Sequence, residues 1–591
     1  MISVDKFLRV TCLFAHWSSS ADVKSYVFTY LDGIKEIATD IFFISNSSIS
    51  ECSKNKLQEN GVKVVIRDNK GYDFGAWKDQ ILNMDLKKID RLILCNNSCY
   101  GPFYSLKEIF SSPIVNSDFW SITKHKKNFG LAEHLQSYFL VFEKPLLTSP
   151  IFKKYWENIP YFKSWNDAVH KGEINLTSFF SSEGFTYNSF IREDILSNRV
   201  GNPTIFFPLE LLKMGAPFIK RKVFSEDYRS IISVTNGHAP SEFLEFIENR
   251  FPQLYKNIMD DLKTSLSPSR LSLCTNSTLI VSCDGKSQNN NSIKVGVIFY
   301  VYYKEETEFV LSYIRNILSF RSIMILVVSP KSELLNFYEE KLEHNNVRFL
   351  KHKNIGRSES ALLVTCKPFL ENIDVFCFVH DKNSYHIRPR LISYTFMEHC
   401  FVNLLGSKNY VLNVINKFIE NKSLGMLVPP APVFSNYESC IENPYGPSLE
   451  ITRDLSRRIG CQSFDEAGLL IPFGGMFWAR TDALKPLLNL NLQYESFPKE
   501  PIKLPDGTLL HGIERVYPLS AFRAGYTVNR IINSEYLSTH LNQIYFKLWN
   551  DQRRSIKQQL ASSLKARIKN KPILYKFCKF FYVKMLRDKL K

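Results

Sequence analysis

Two glutamates occupy the same place in two similar stretches of this chain. Glu173 stands eleven residues before Gly184-Phe185-Thr186, and Glu514 stands eleven residues before Gly525-Tyr526-Thr527, an offset of 341. An ionised carboxylate can take the proton from a hydroxyl as that hydroxyl attacks an electrophile. Both glutamates are expected near a helix start, where the helix dipole favours the charged form. Glu514 has the denser neighbourhood, with Asp506, His511 and Arg515 close in sequence. Asp118, which leads the apolar run begun by Phe119 and Trp120, is the competing base in the first half.

A second set of polar residues is placed to hold a ligand. In the first half it comprises Asn69, Gly71 and Asp73, then the turn Asn96-Asn97-Ser98. In the second it comprises Asn354, Gly356 and Arg357, then His380-Asp381-Lys382. Gly71 and Gly356 would let backbone approach a bound group, and each also suits a plain tight turn. Asp73 suits either a ligand hydroxyl or the first turn of a helix. Trp77, Trp120 and Trp478 could stack on a ligand ring, but lone aromatics at strand ends are more often core.

These residues need elements to position them. Residues 62–102 read as strand, glycine turn, helix, strand and polar turn. Val62, Val64, Val65 and Ile66 form a β-branched run, Phe74, Trp77 and Ile81 share one helical face over 72–82, and residues 91–95 form a second apolar run. Buried strands that end in polar residues mark a ligand site at the carboxyl edge of an open α/β sheet. The chain does this twice. At an offset of 285, Val10 falls on Val295, Asn69-x-Gly71 on Asn354-x-Gly356 and Cys95 on His380, while Ser45 falls within one residue of Ser329. Further on, residues 139–142 match 476–479 at an offset of 337. The near-constant shift indicates internal duplication.

Length and composition narrow the class. A chain of 591 residues is too long for one core. Its hydrophobic content of 45% contains no membrane-spanning run, and its N-terminus lacks the shape of a signal peptide. The twelve cysteines, scattered and without CxxC, read as reduced core residues of a cytosolic protein. The net charge of +17 invites a nucleic-acid reading, but residues 551–591 alone hold thirteen Lys/Arg against two Asp. The body is only mildly basic, so no nucleic-acid partner is expected. Leu574, Phe577, Cys578, Phe581 and Met585 follow helical spacing among those cations, which reads as a basic amphipathic helix for a membrane surface.

Long ordered segments carry a family resemblance. NKGYDFGAWK at 69–78, NNSCYGP at 96–102, DFWSIT at 118–123, HLQSYFLVF at 134–142, GGMFWARTDALKPL at 474–487 and DGTLLHGIERVYP at 506–518 resemble the rhamnan synthesis protein F family. The resemblance implies a fold of class α/β: two tandem GT-A-like (Rossmann-type nucleotide-sugar) domains joined by a helical connector, ending in a basic amphipathic C-terminal helix. The expected boundaries are 1–221 and 294–550 for the two domains, 222–293 for the connector with its polar linker, and 551–591 for the tail. The implied activity is that of a bacterial glycosyltransferase passing rhamnose from dTDP-rhamnose to a polyprenyl-linked cell-surface glycan of rhamnan or O-antigen type. Such a protein is expected in the cytoplasm, peripheral on the inner face of the plasma membrane.

The chain departs from the family pattern at Asn97, Ser358 and Asp381, where the family usually has Asp, Asp and Thr. A GT-A transferase commonly neutralises its diphosphate with a metal held by an acidic turn. Here the turn 96–98 has no acid, so the positive charge is expected from side chains such as Arg67, Lys78, Arg357 and Lys382. A divalent ion, Mg or Mn, is the less favoured alternative, with Asp381 as its ligand. Transfer from a β-linked donor to an α-linked product inverts the anomeric centre and needs a base, Glu173 or Glu514. The alternative is that one or both halves have lost catalysis and serve as a glycan-binding or scaffolding module. If only one half is a transferase, the richer cluster favours the second.

Overall fold

The computed structural model describes residues 8–113, 116–126, 132–191, 202–224, 238–285, 293–342, 344–382, 389–434, 443–461, 464–502 and 506–569. The chain divides into two compact units, Met1–Asn276 and Ser277–Lys591.

The first unit is built on a seven-stranded sheet. Its order across the sheet is Tyr187–Ser189, Phe119–Ser121, Phe139–Glu143, Arg91–Asn96, Val10–His16, Asp40–Ser45 and Lys63–Ile66. Val10–His16 is buried at every position, as a strand covered on both faces must be. It pairs in parallel with both neighbours, and only Phe139–Glu143 runs against the rest. Helix Tyr72–Leu82 lays Phe74, Trp77 and Ile81 on the core, as its spacing predicts.

The second unit repeats that order. Its sheet runs Thr278–Val281, Thr527–Asn533, Leu424–Val428, Phe477–Arg480, Val375–His380, Val295–Tyr300, Ile323–Ser329 and Val347–Lys351. The single reversed strand, Phe477–Arg480, again sits beside the central parallel strands. The eighth strand is an addition at one edge. Strand register adjusts the sequence alignment by one residue. Ala15 pairs with Asn96 and Tyr300 pairs with His380, so His380 corresponds to Asn96 rather than to Cys95.

The residues expected to form a separate connector do not stand apart. Helices His238–Arg250, Pro252–Ser265 and Pro268–Cys274 belong to the first unit, where buried Asp261 pairs with Arg221. Strand Thr278–Val281 is the extra edge strand of the second. Helix Leu537–Lys569 closes the described chain. The expected apolar stripe from Leu574 to Met585 lies outside the described residues, as do Asn383 and Ser384. Among the described residues, no helix is long and apolar enough to cross a membrane. Trp77, Trp120 and Trp478 are fully buried and belong to the cores.

Candidate active site

The carboxyl end of strand Arg91–Asn96 opens onto a cavity of about 520 Å³ in the first unit. Asp73 reaches it from the start of helix Tyr72–Leu82. That helix begins after Gly71, whose φ of +80° lets the chain turn sharply. Asn96 Nδ2 donates to Asp73 Oδ2 at 2.8 Å, and Asn96 Oδ1 accepts from Ser98 N at 3.1 Å. Desolvation pushes the Asp73 carboxyl up to about 6; the Asn96 hydrogen bond opposes the rise, and the Glu173 charge adds to it.

Glu173 enters the same cavity from a π-helical turn, Ala168–Ile174. Such wide turns recur where a side chain is re-aimed at a site. Its Oε2 accepts the Ser137 backbone N–H at 2.7 Å and also the Ser137 hydroxyl, while His134 Nε2 stands 3.7 Å from Oε1. Burial lowers the His134 pKa. Lys220, Arg221, Lys222 and Arg270 line the same cavity.

The second unit has a corresponding cavity of about 340 Å³. Glu514 Oε1 accepts the Gly474 N–H at 3.1 Å. It lies within helix Leu509–Arg523 rather than at its start, so a backbone amide rather than the helix dipole fixes it. His380 Nε2 lies 2.5 Å from the Gly474 carbonyl oxygen, and burial lowers its pKa. Glu359, only 6% exposed, lines this cavity one residue past Ser358, the counterpart of Asp73. Ser358 Oγ donates to it at 3.0 Å. Burial, with the Glu514 charge adding to it, pushes Glu359 up to about 7.

Several expected residues take other roles. Asp118 precedes its strand and so lies at the opposite edge of the sheet from the cavity, where its Oδ2 accepts from Thr186 N at 2.8 Å and Thr186 Oγ1 at 2.7 Å. Asn69 is exposed on the loop before Gly71 and does not line the cavity, and Asn97 turns its Nδ2 back to the Trp17 carbonyl at 2.9 Å. Arg67 is tied to Asp79 and Asn46, and Lys78 to the carbonyls of Glu157 and Ile159. Asp506 and Arg515 form a staple: Arg515 Nη2 meets Asp506 Oδ2 at 3.1 Å and Arg515 Nε donates to the Pro444 carbonyl. His511, Asn354, Arg357, Asp381 and Lys382 do line the second cavity, with Arg357 paired to Glu500 at 2.8 Å.

The side chains alone do not make up a divalent-ion site. Asp381 Oδ2 accepts two backbone N–H groups, from Tyr302 at 2.7 Å and Tyr303 at 2.8 Å. That leaves its Oδ1 as a single protein oxygen for an ion, whose other donors would have to be water and phosphate oxygens. Among the described residues, no three His, Cys, Asp or Glu side chains gather as metal ligands. Burial pushes Asp381 up to about 7, against those two amide hydrogen bonds.

The sequence reading missed Glu359, one residue past the vacated Asp position, and the cations at 220–222 and 270. The offset of 337 that aligns 139–142 with 476–479 also aligns Ser137 with Gly474. That match was the available signal that both glutamates would meet equivalent amides.

A family model described as rhamnan synthesis protein F matches residues 41–526. The chain belongs to that family. Uncharacterized protein y4gN of Sinorhizobium fredii is 30% identical over 179 residues, covering 29% of this chain and 46% of that protein. Virulence protein VirA of Vibrio anguillarum is 25% identical over 196 residues, 28% of this chain and 62% of that one. The chain thus spans less than two thirds of the length of these relatives. Among solved structures, glycosyltransferase GlyE of Streptococcus pneumoniae TIGR4 aligns with 10% identity and a TM-score of 0.26, covering 66% of this chain and 90% of that one.

Proposed function

We propose that this member of the rhamnan synthesis protein F family is an inverting glycosyltransferase with GT-A-like units. Its donor is a nucleoside diphosphate sugar, taken as dTDP-rhamnose from the family resemblance, and its acceptor a polyprenyl-linked glycan. The observation that carries this reading is the placing of Glu173. Its hydrogen-bonded carboxylate lines a cavity at the carboxyl end of strand Arg91–Asn96, together with a second carboxylate, Asp73, held by Asn96. In the proposed step, an acceptor hydroxyl oxygen bonds to the anomeric carbon, and the bond from that carbon to the diphosphate oxygen breaks. The hydroxyl proton passes to Glu173, and the nucleoside diphosphate leaves with the bonding electrons. Ser137 holds the carboxylate in position, and Asp73 receives hydroxyls of the donor.

A panel of nucleotide sugars, offered with a lipid-linked acceptor in the presence and absence of chelator, tests the reading. Transfer from one donor, lost in Glu173→Gln, supports it; no transfer or donor hydrolysis with any donor overturns it.

A second reading applies to the second unit alone. Its cavity sets Glu359, Asp381 and Glu514 beside Tyr300, Tyr302 and Tyr303. Carboxylates with aromatic rings suit the hydroxyls and apolar faces of a saccharide, so this unit serves as an acceptor-binding module. Saccharide binding that survives Glu173→Gln and fails in Glu514→Gln would separate the two roles.

The protein is further proposed to act peripherally on the inner face of the plasma membrane. Exposed Tyr545, Phe546, Leu548 and Trp549 on helix Leu537–Lys569, followed by the basic run of residues 553–591, support that location.

A further inference from the structure

We infer that the first unit binds the diphosphate of its ligand with a clamp of protein cations, Lys220, Lys222 and Arg270, anchored by Arg221. This deepens the transferase reading and rests on it for the identity of the ligand. It assigns the diphosphate to the first cavity and gives the source of its neutralising charge.

The clamp is built from distant parts of the chain. Residues Ile219 and Lys220 pair antiparallel with Tyr100 and Cys99, directly after the turn 96–98. Arg221 N donates to the Ser98 carbonyl at 2.9 Å. The pairing carries three consecutive cations to the rim of the cavity that Asp73 and Glu173 enter, and Arg270 reaches the same cavity from helix Pro268–Cys274.

Arg221 is the fixed point. Its Nη2 lies 2.9 Å from Asp261 Oδ2, and the same oxygen accepts the Tyr100 hydroxyl at 2.7 Å. Its guanidinium also lies over the Tyr26 ring at 4.7 Å. The flanking lysines rest on aromatic rings: Lys220 Nζ lies 5.3 Å from the Tyr138 centroid and Lys222 Nζ 5.0 Å from that of Trp165. A cation held over a ring loses rotamer freedom before the ligand arrives, which lowers the entropic cost of binding. Amino and guanidinium groups converging on a partly enclosed cavity favour a multiply charged anion. Asp73 and Glu173 in the same cavity suit neutral hydroxyls. Phosphate oxygens on the cations and sugar hydroxyls on the carboxylates would therefore orient a nucleotide sugar with its anomeric carbon toward Glu173.

The test is titration calorimetry of the full chain with thymidine diphosphate in the presence of EDTA. The wild type is compared with Lys222→Gln/Arg270→Gln and, as a second arm, with Lys220→Gln alone. Circular dichroism melting checks that each variant is folded. Binding in EDTA that weakens tenfold or more in the double variant, and less so in Lys220→Gln, is the expected result. Binding that needs added divalent ion, or equal affinity in all three proteins, overturns the clamp. So does loss that occurs only when Arg357 and Lys382 of the second unit are changed to Gln. The two proposals fail separately. Sugar transfer with unchanged thymidine diphosphate affinity in the variants removes the clamp alone. Diphosphate binding through the clamp, with no transfer from any donor, removes the transferase reading alone.

Discussion

Glu173 accepts the backbone N–H of Ser137 at 2.7 Å. Glu514 stands in the same relation to Gly474, at 3.1 Å. In each unit the amide belongs to the stretch that enters the reversed strand, and the carboxylate comes from a helix-forming segment 36 or 40 residues later. An N–H donated to a carboxylate fixes its orientation. Glutamine keeps the acceptor oxygen for that N–H but cannot take a proton. Glu173→Gln is therefore expected to retain the wild-type unfolding transition while sugar transfer falls by about 10²- to 10⁴-fold. Initial rates measured with the productive donor check this. Full rates in both Glu173→Gln and Glu514→Gln would remove these carboxylates from the chemistry.

The second cavity makes a prediction in pH. Glu359 has an ordinary value of 4.5 and is pushed up to about 7 in the folded chain. Between those values the folded state holds a proton that the unfolded chain releases. The stability tied to this proton is fully present below 4.5 and is lost as pH rises through 7. At pH 8 the buried charge costs the unit about 3 kcal/mol relative to a neutral side chain of the same shape. Glu359→Gln keeps an oxygen for the Ser358 hydroxyl and carries no charge. Its melting temperature is expected to exceed the wild type's at pH 8 and to converge with it by pH 4.5. A pH-independent difference between the two proteins would contradict the assignment.

Much of the frame was legible in the chain. Apolar runs ending in polar residues gave the central strands, and helix Tyr72–Leu82 emerged with its expected bounds because Phe74, Trp77 and Ile81 mark one face. The offsets of 285 and 341 read as internal duplication, and the two units have sheets whose shared strands follow one order. Asp118 was misplaced because a polar residue beside an apolar run does not reveal which end of the strand lies at the site. Arg67 and Lys78 were expected at a ligand, yet local carboxylate and carbonyl partners lie nearer and hold them. The cations at 220–222 were missed for a different reason. Their link to the turn 96–98 is an antiparallel pairing across more than a hundred residues, and no local pattern records it.

The left-handed glycines offer a test of local geometry. Gly356 has φ +76°, and a Cβ there would sit 2.7 Å from Phe497 Cβ; Gly71 has φ +80°, and its Cβ would sit 2.8 Å from Tyr161 Cδ1. An L side chain in this region costs roughly 1–2 kcal/mol, and forcing a methyl against a packed ring adds about 1–3 kcal/mol. Phe497 is buried, whereas Tyr161 is half-buried and freer to yield. Gly356→Ala is therefore expected to lower the urea midpoint of the second unit more than Gly71→Ala lowers that of the first. Midpoints equal to the wild type's in both variants would show that neither turn needs its glycine.

Helix Leu537–Lys569 tests where the protein works. Tyr545, Phe546, Leu548 and Trp549 are exposed, and the Arg553 guanidinium lies 4.6 Å from the Trp549 ring centroid. Aromatic rings at a lipid headgroup boundary bind by area, whereas the lysines and arginines of residues 553–591 bind by charge, at roughly 1 kcal/mol each near an anionic surface. The two contributions respond differently to salt, because screening weakens only the second. Deleting residues 551–591 is expected to release the protein from vesicles containing phosphatidylglycerol at low salt. Phe546→Ala/Trp549→Ala in the full chain should co-sediment at low salt and dissociate at a lower salt concentration than the wild type. Co-sedimentation of the truncated chain equal to that of the full chain would place the membrane contact elsewhere. A salt midpoint unchanged in the double variant would leave the basic run as the sole anchor.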